Sequence, residues 1–154
     1  MPCEFLRLMY TYNFTLTRVK DGDSLVGDID LGMRTWIHDA DIRLSGIDTP
    51  EIRALKGNKQ LKRYGLTVKQ YLEEILVPGA IYPIKTQSDN RGKFGRILAK
   101  IYHKGISKQC LNDHLVSRHM ALAYSGGSRA EIQQAHMENM RVFVKAGGVL
   151  VPLS

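Results

Sequence analysis

The sequence has few of the features that mark secreted or membrane-bound proteins. It holds 2 cysteines in 154 residues, and Cys3 and Cys110 are too far apart to form a metal-binding pair. Two free thiols in a reducing compartment are favoured, with a single disulfide as the alternative. The chain also lacks a basic segment followed by a long apolar one, and it lacks an apolar stretch long enough to span a bilayer. We therefore expect a cytoplasmic protein without a signal peptide or membrane contact.

Histidine clusters, internal repeats and low-complexity tracts are missing as well. The 5 histidines show no zinc-like spacing, because His114 and His119 are separated by a step that suits one helix face poorly. A chain of this length can build one core and is short for two. We expect one domain over residues 1–154, with its core at about residues 10–146.

Charge is the first positive indication of function. Lysine and arginine number 22 against 15 aspartates and glutamates, for a net charge of +7. A basic surface favours a polyanionic partner, with nucleic acid first and an anionic membrane surface second. The alternative is a basic protein that binds nothing in particular.

The spacing of apolar residues predicts strands, then a helix, then strands and helices again. Alternation and β-branched or aromatic residues predict strands over residues 10–19, 24–31, 34–38, 41–44, 81–85 and 96–102. Three- and four-residue steps, with a capping box at Ser128, predict helices over residues 56–77, 111–119 and 128–147. A polar loop is expected over residues 87–93. Together these predict an α+β fold, a five-stranded antiparallel barrel of the OB type with about three packed helices.

Three short blocks contain the charged residues that a catalytic or metal-binding site would need. They are Asp21-Gly22-Asp23, the stretch from Arg43 to Glu51, and Lys93-Phe94-Gly95-Arg96. Ordinary structural explanations exist as well: a hairpin turn at Asp21-Gly22, a turn or a helix start at Thr49-Pro50-Glu51, and a surface ion pair for Arg43. Their occurrence together indicates a functional site.

These blocks resemble the signature blocks of the staphylococcal nuclease-like (thermonuclease) family. The similarity continues at Arg63-Tyr64-Gly65 and Leu122-Ala123-Tyr124, and the hairpin at residues 28–36 resembles intracellular phage and bacterial members more than the secreted enzyme. The resemblance implies a calcium-dependent phosphodiesterase, an endo- or exonuclease acting on DNA and RNA. It also implies a preference for single strands, a monomer, and an origin that fits a phage-encoded protein.

The resemblance assigns a metal site and a base. It implies that Ca²⁺ is held by the carboxylates of Asp23 and Asp48 and by the main-chain oxygen of Thr49, and that Glu51 is the general base. Oxygen ligands suit a hard cation, and carboxylates crowded together are costly without one.

The resemblance also assigns the contacts to substrate. Arg43 and Arg96 match the two arginines that clamp phosphate, and a planar guanidinium suits phosphate oxygens. Lys93 and Tyr124 match positions that contact nucleotide, although a tyrosine at this position could equally close the core.

Several residues depart from the family pattern without removing a catalytic group. Phe94 stands where tyrosine is usual, and His119 stands where a helix-ending glycine is usual. The apolar end, residues 149–153, lacks the usual tryptophan and is expected to dock against the body. The main rival hypothesis is a catalytically weak or inactive nucleic-acid-binding OB-fold module, and a third is a packaging component of phage origin.

Overall fold

The computed structural model describes residues 10–53, 58–91, 95–106, 110–124 and 126–153. Within them, alternating side chains build a hairpin of two long strands, β1 (Thr11–Asp21) and β2 (Ser24–Asp30). Phe14 and Leu16 of β1 point into the core because successive side chains of a strand face opposite sides. This hairpin starts the barrel.

Five strands close the barrel, in the order β1-β2-β3-β6-β5. The other three are β3 (Trp36–Leu44), β5 (Ile81–Arg91) and β6 (Ile97–Ile101). Two short strands, β4 (Ile47–Asp48) and β7 (Leu122–Ala123), pair as a separate antiparallel ribbon beside it. The ribbon ties the end of the β3 turn to a segment far along the chain.

Three helices pack around the barrel: α1 (Lys59–Ile75), α2 (Leu111–Ser117) and α3 (Arg129–Lys145). Helix α1 buries Tyr64, Val68 and Leu72, residues at four-residue steps, against the barrel. Helix α3 begins with the predicted capping box, in which Ser128 and Glu131 exchange side-chain and backbone hydrogen bonds. The α+β class and the five-stranded barrel with three helices are therefore confirmed for the described residues.

The prediction of a wholly antiparallel barrel is wrong at one pair of strands. β3 and β6 run parallel, with Ile42 opposite Ile97 and Leu44 opposite Ala99. The reason is that the closed barrel has an odd number of strands. Strand directions cannot alternate all the way around a closed ring with an odd number of strands, so at least one neighbouring pair must be parallel.

Predicted boundaries differ for β3 and β5, since the strands predicted over residues 34–38 and 41–44 are one strand, β3. β5 continues to Arg91, through most of the segment expected to be a loop, and an irregularity in its pairing with β6 falls between Thr86 and Arg91. The sequence of this segment is polar and has no alternating apolar pattern from which a strand could be predicted. Of the two alternatives for Thr49-Pro50-Glu51, a turn or a helix start, the helix start is wrong, since residues 49–53 are not helical and α1 begins at Lys59.

The chain end docks on the body, as expected: Leu150 packs against the core, and the backbone of Val151 contacts α1. Arg63 Nε donates to the carbonyl of Val151 at 2.9 Å, and the Val151 amide donates to Thr67 Oγ1 at 3.0 Å. Cys110 is a buried free thiol, whereas Cys3 lies outside the described residues. In the described part of the chain, the helices are too short or too polar to cross a membrane.

Candidate functional site

Two glycines allow the two acidic turns to lie against helix α1 and against each other. A Cβ on Gly22 would lie 2.9 Å from both Thr49 Oγ1 and Val68 Cγ1, and a Cβ on Gly65 would lie 2.6 Å from the Pro50 carbonyl oxygen. Such distances are too short for any side chain. Gly22 therefore lets the first turn pack against Thr49 and Val68, and Gly65 lets the backbone of the second turn rest directly on the helix.

The acidic residues of the two turns converge on one guanidinium group. Arg43 Nη2 lies 3.1 Å from Asp23 Oδ2 and 3.3 Å from Asp48 Oδ1, while its Nη1 donates to the Leu44 carbonyl at 2.8 Å. The Thr49 amide donates to Asp23 Oδ2 at 3.2 Å. Both carboxylates thus contact the same guanidinium group, whose positive charge partly offsets their negative charge.

Asp23 is the most perturbed acid of the site. Burial raises its pKa from 3.8 to about 6, and the neighbouring Asp21 carboxylate adds to the rise, whereas Arg43 opposes it. The arginine therefore compensates only part of the loss of hydration. A further positive charge at this place would stabilise the ionised form.

One cavity of about 470 Å³ collects six of the eight predicted site residues. The six come from β1–β2, β3, the β4 turn and the start of β6, and they are Asp23, Arg43, Asp48, Thr49, Glu51 and Arg96. Their roles remain predictions, but the structure brings them together. Lys93 lies outside the described residues.

Tyr124 lies next to this group rather than in it. It lines a neighbouring cavity of about 410 Å³ that shares Asp48 with the first. Its ring is 63% exposed, so it does not close the core, which was the structural alternative. An exposed aromatic ring beside the site is suited to stacking on a base.

Glu51 faces solvent. Its side chain is 62% exposed, and its closest charged contact is a 3.9 Å ion pair with Arg129 of α3, itself 72% exposed. Exposed ion pairs of this kind are weak. The carboxylate is therefore accessible to water and to a ligand in the cavity.

The acidic residues suit a hard cation, though they are few. Among the residues described, no three or more histidine, cysteine, aspartate or glutamate side chains are grouped as a metal site. The residues predicted to bind the cation, Asp23, Asp48 and Thr49, line the cavity together with the acidic residues Asp21 and Glu51. An all-oxygen set with a partly compensated buried carboxylate has the chemistry that calcium prefers.

Comparison with known families identifies the family to which the chain belongs. The sequence profile described as staphylococcal nuclease homologue matches residues 41–146, more than half of the chain. The chain belongs to this family. The match contains Arg43, Asp48, Glu51 and Arg96, while Asp23 precedes it and joins the site through the structure. No individual curated protein matches the chain.

One residue of this staphylococcal nuclease homologue was missed by the sequence analysis. His136 of α3 is 4% exposed, and its Nε2 lies 2.7 Å from Asp48 Oδ2. Its spacing from Met140 and Phe143 marks the buried face of the helix, which was a usable signal. Nothing in that spacing shows that the face meets Asp48, 88 residues earlier in the chain.

Proposed function

We propose that this protein is a calcium-dependent nuclease that hydrolyses phosphodiester bonds of DNA and RNA. One observation carries the proposal: in a chain of the staphylococcal nuclease homologue family, the predicted catalytic and metal-binding side chains line one cavity, namely Arg43, Arg96, Asp23, Asp48 and Glu51. Family membership alone would leave the activity open. Supporting evidence is that each chemical requirement of the reaction has a residue at this cavity.

The arginines answer the first requirement, which is to hold an anionic phosphate. Arg43 is fixed in place by its contacts to Leu44 and to the two carboxylates, and Arg96 lines the same cavity. Guanidinium groups bind phosphate oxygens through paired N–H donors. Because charge builds on these oxygens during hydrolysis, pre-positioned donors stabilise the transition state more than the ground state.

Glu51 answers the second requirement, which is to take a proton from the attacking water. Its carboxylate is exposed at the cavity and only weakly engaged by Arg129. A general base must lie within hydrogen-bonding reach of the water that it activates. The oxygen of that water would form the new bond to phosphorus as the ester oxygen leaves.

Calcium would be held by the carboxylates of Asp23 and Asp48 and by the Thr49 main-chain oxygen. When bound, the ion would offset phosphate charge and orient the water. The partly uncompensated charge of buried Asp23 supports a cation here. Tyr124 would stack on a base, which favours single strands because their bases are free to stack.

A cleavage assay with single-stranded DNA and RNA tests the proposal. We expect cleavage with calcium, none in excess chelator, and a loss of about two to four orders of magnitude in rate for Glu51→Gln. Glu73→Gln is a matched control, since Glu73 is also exposed and in a weak ion pair, with Lys69 on α1. Its rate should equal that of the wild type.

The outcomes separate the rival from the proposal. Full activity in chelator would refute the calcium requirement. Binding of oligonucleotide without any cleavage by the wild-type protein would instead identify a nucleic-acid-binding module and refute the nuclease.

A further inference from the structure

The carboxylate of Asp48 is held at both of its oxygens. Arg43 Nη2 lies 3.3 Å from Oδ1, and His136 Nε2 lies 2.7 Å from Oδ2. The first partner comes from β3 and the second from helix α3. The two contacts together fix the rotation of the carboxylate and therefore the direction in which its lone pairs point.

The surroundings of His136 fix which ring nitrogen carries the hydrogen. A carboxylate oxygen only accepts hydrogen bonds, so Nε2 must be the donor. Nδ1 is buried and has no hydrogen-bond partner within the described residues. The hydrogen bond therefore runs from His136 Nε2 to Asp48 Oδ2.

His136 is also isolated from bulk water, which makes the contact strong. The residue is 4% exposed, and the Asp48 side chain is 27% exposed. Hydrogen bonds to charged groups are stronger than neutral ones, and exclusion of water strengthens them further. His136 also lines a cavity of about 350 Å³, together with Asp48 and Glu51.

We propose that His136 is a positioning residue that orients the Asp48 carboxylate for cation binding, an inference that rests on the proposed function. Groups that hydrogen-bond to metal-binding carboxylates commonly alter metal affinity by about 10- to 100-fold. His136 thereby makes helix α3 part of the site.

Variants that remove or keep the donor test this role. His136→Leu and His136→Ala remove the donor, the first while largely filling the space, and His136→Gln keeps an N–H near the position of Nε2. Calcium affinity is measured by titration calorimetry, together with the calcium concentration that gives half-maximal cleavage. Whichever donor-less variant folds should bind calcium about 10- to 100-fold more weakly, and His136→Gln should recover most of the affinity.

His114 of α2 provides a matched control. It is buried to a similar extent, its Nε2 lies 2.6 Å from Tyr71 Oη, and its Nδ1 is also without a hydrogen-bond partner among the described residues. His114→Leu and His114→Gln should alter thermal stability in chelator while leaving calcium affinity at the wild-type value. A general effect of losing a buried histidine would appear in both sets.

The outcomes distinguish this inference from the proposed function. If wild-type protein binds calcium and cleaves DNA, and the donor-less variants bind calcium as tightly, the positioning role is refuted and the nuclease stands. If the wild type binds no calcium, the metal site itself is refuted, and the positioning role with it.

Discussion

Asp23→Asn should make the cation-free protein more stable at neutral pH while removing calcium binding. Asp23 is buried, and its pKa in the folded protein is about 6 against 3.8 in the unfolded chain. At about 1.4 kcal/mol per pKa unit, the ionised carboxylate destabilises the folded state by roughly 3 kcal/mol. An amide removes this charge and can keep the neighbouring hydrogen bonds, with its carbonyl accepting from the Thr49 amide and its NH₂ donating to Ser24 Oγ.

The effect has a defined dependence on pH. Between about pH 4 and pH 6 the unfolded chain loses the Asp23 proton while the folded protein retains it. The folded state then binds more protons, so wild-type stability falls as pH rises through this window. The advantage of Asp23→Asn is therefore complete above about pH 6 and disappears below about pH 4.

Urea unfolding of both proteins in chelator measures the difference in the free energy of unfolding at pH 3.5 and pH 8, two pH values that lie roughly outside this window. Asp30→Asn is the control, because Asp30 is less buried and its Oδ1 accepts from the Gly32 amide, which an amide oxygen can also do. It should change stability by less than about 0.5 kcal/mol. Adding calcium should stabilise the wild type and leave Asp23→Asn unchanged. Equal stability of Asp23→Asn and wild type at pH 8 would refute the reasoning that burial of this charge is costly.

Three further results are expected. Arg43→Lys and Arg96→Lys keep the charge but lose the paired N–H donors, so turnover should fall by about 10- to 100-fold with a smaller change in oligonucleotide affinity. The control variant Arg141→Lys, at an exposed position, should change neither quantity. Unchanged turnover in Arg43→Lys or Arg96→Lys would exclude the substituted arginine from the site. His119 has φ of +56°, so His119→Gly should raise stability by about 1 kcal/mol in urea unfolding, and a loss would contradict strain there. Oligonucleotide affinity, measured by fluorescence anisotropy, should fall steeply with salt because the net charge is +7; a flat dependence would argue against electrostatic binding.

Local patterns were sufficient to predict most elements of the fold. Alternation located the β1–β2 hairpin, and the capping box located the start of α3, because in both cases the determining contacts lie within a few residues of each other. The extension of β5 to Arg91 was missed, since a polar strand segment carries no periodic signal. The parallel pairing of β3 with β6 was also missed, because it depends on the closed ring and not on either strand alone.

The candidate site divides in the same way. Arg43, Asp48 and Glu51 stand in one short block, so a resemblance in motif could place them together. His136 could be assigned to a buried helix face, but its contact with Asp48 depends on how α3 packs on the rest of the chain. Contacts between distant segments are set by packing, which single-sequence periodicity does not report.

The parallel pairing of β3 and β6 has a consequence for when the site comes into existence. Arg43 lies opposite Leu98, and Arg96 stands just before the same strand, so the two arginines become neighbours only when the ring closes. Pairings between distant segments form late because loop closure precedes any gain from contacts. A nascent chain that has emerged only as far as β5 holds both carboxylates and Arg43 without the second arginine. Under the proposed function, the chain would then gain the second arginine of the site only once β6 has paired with β3.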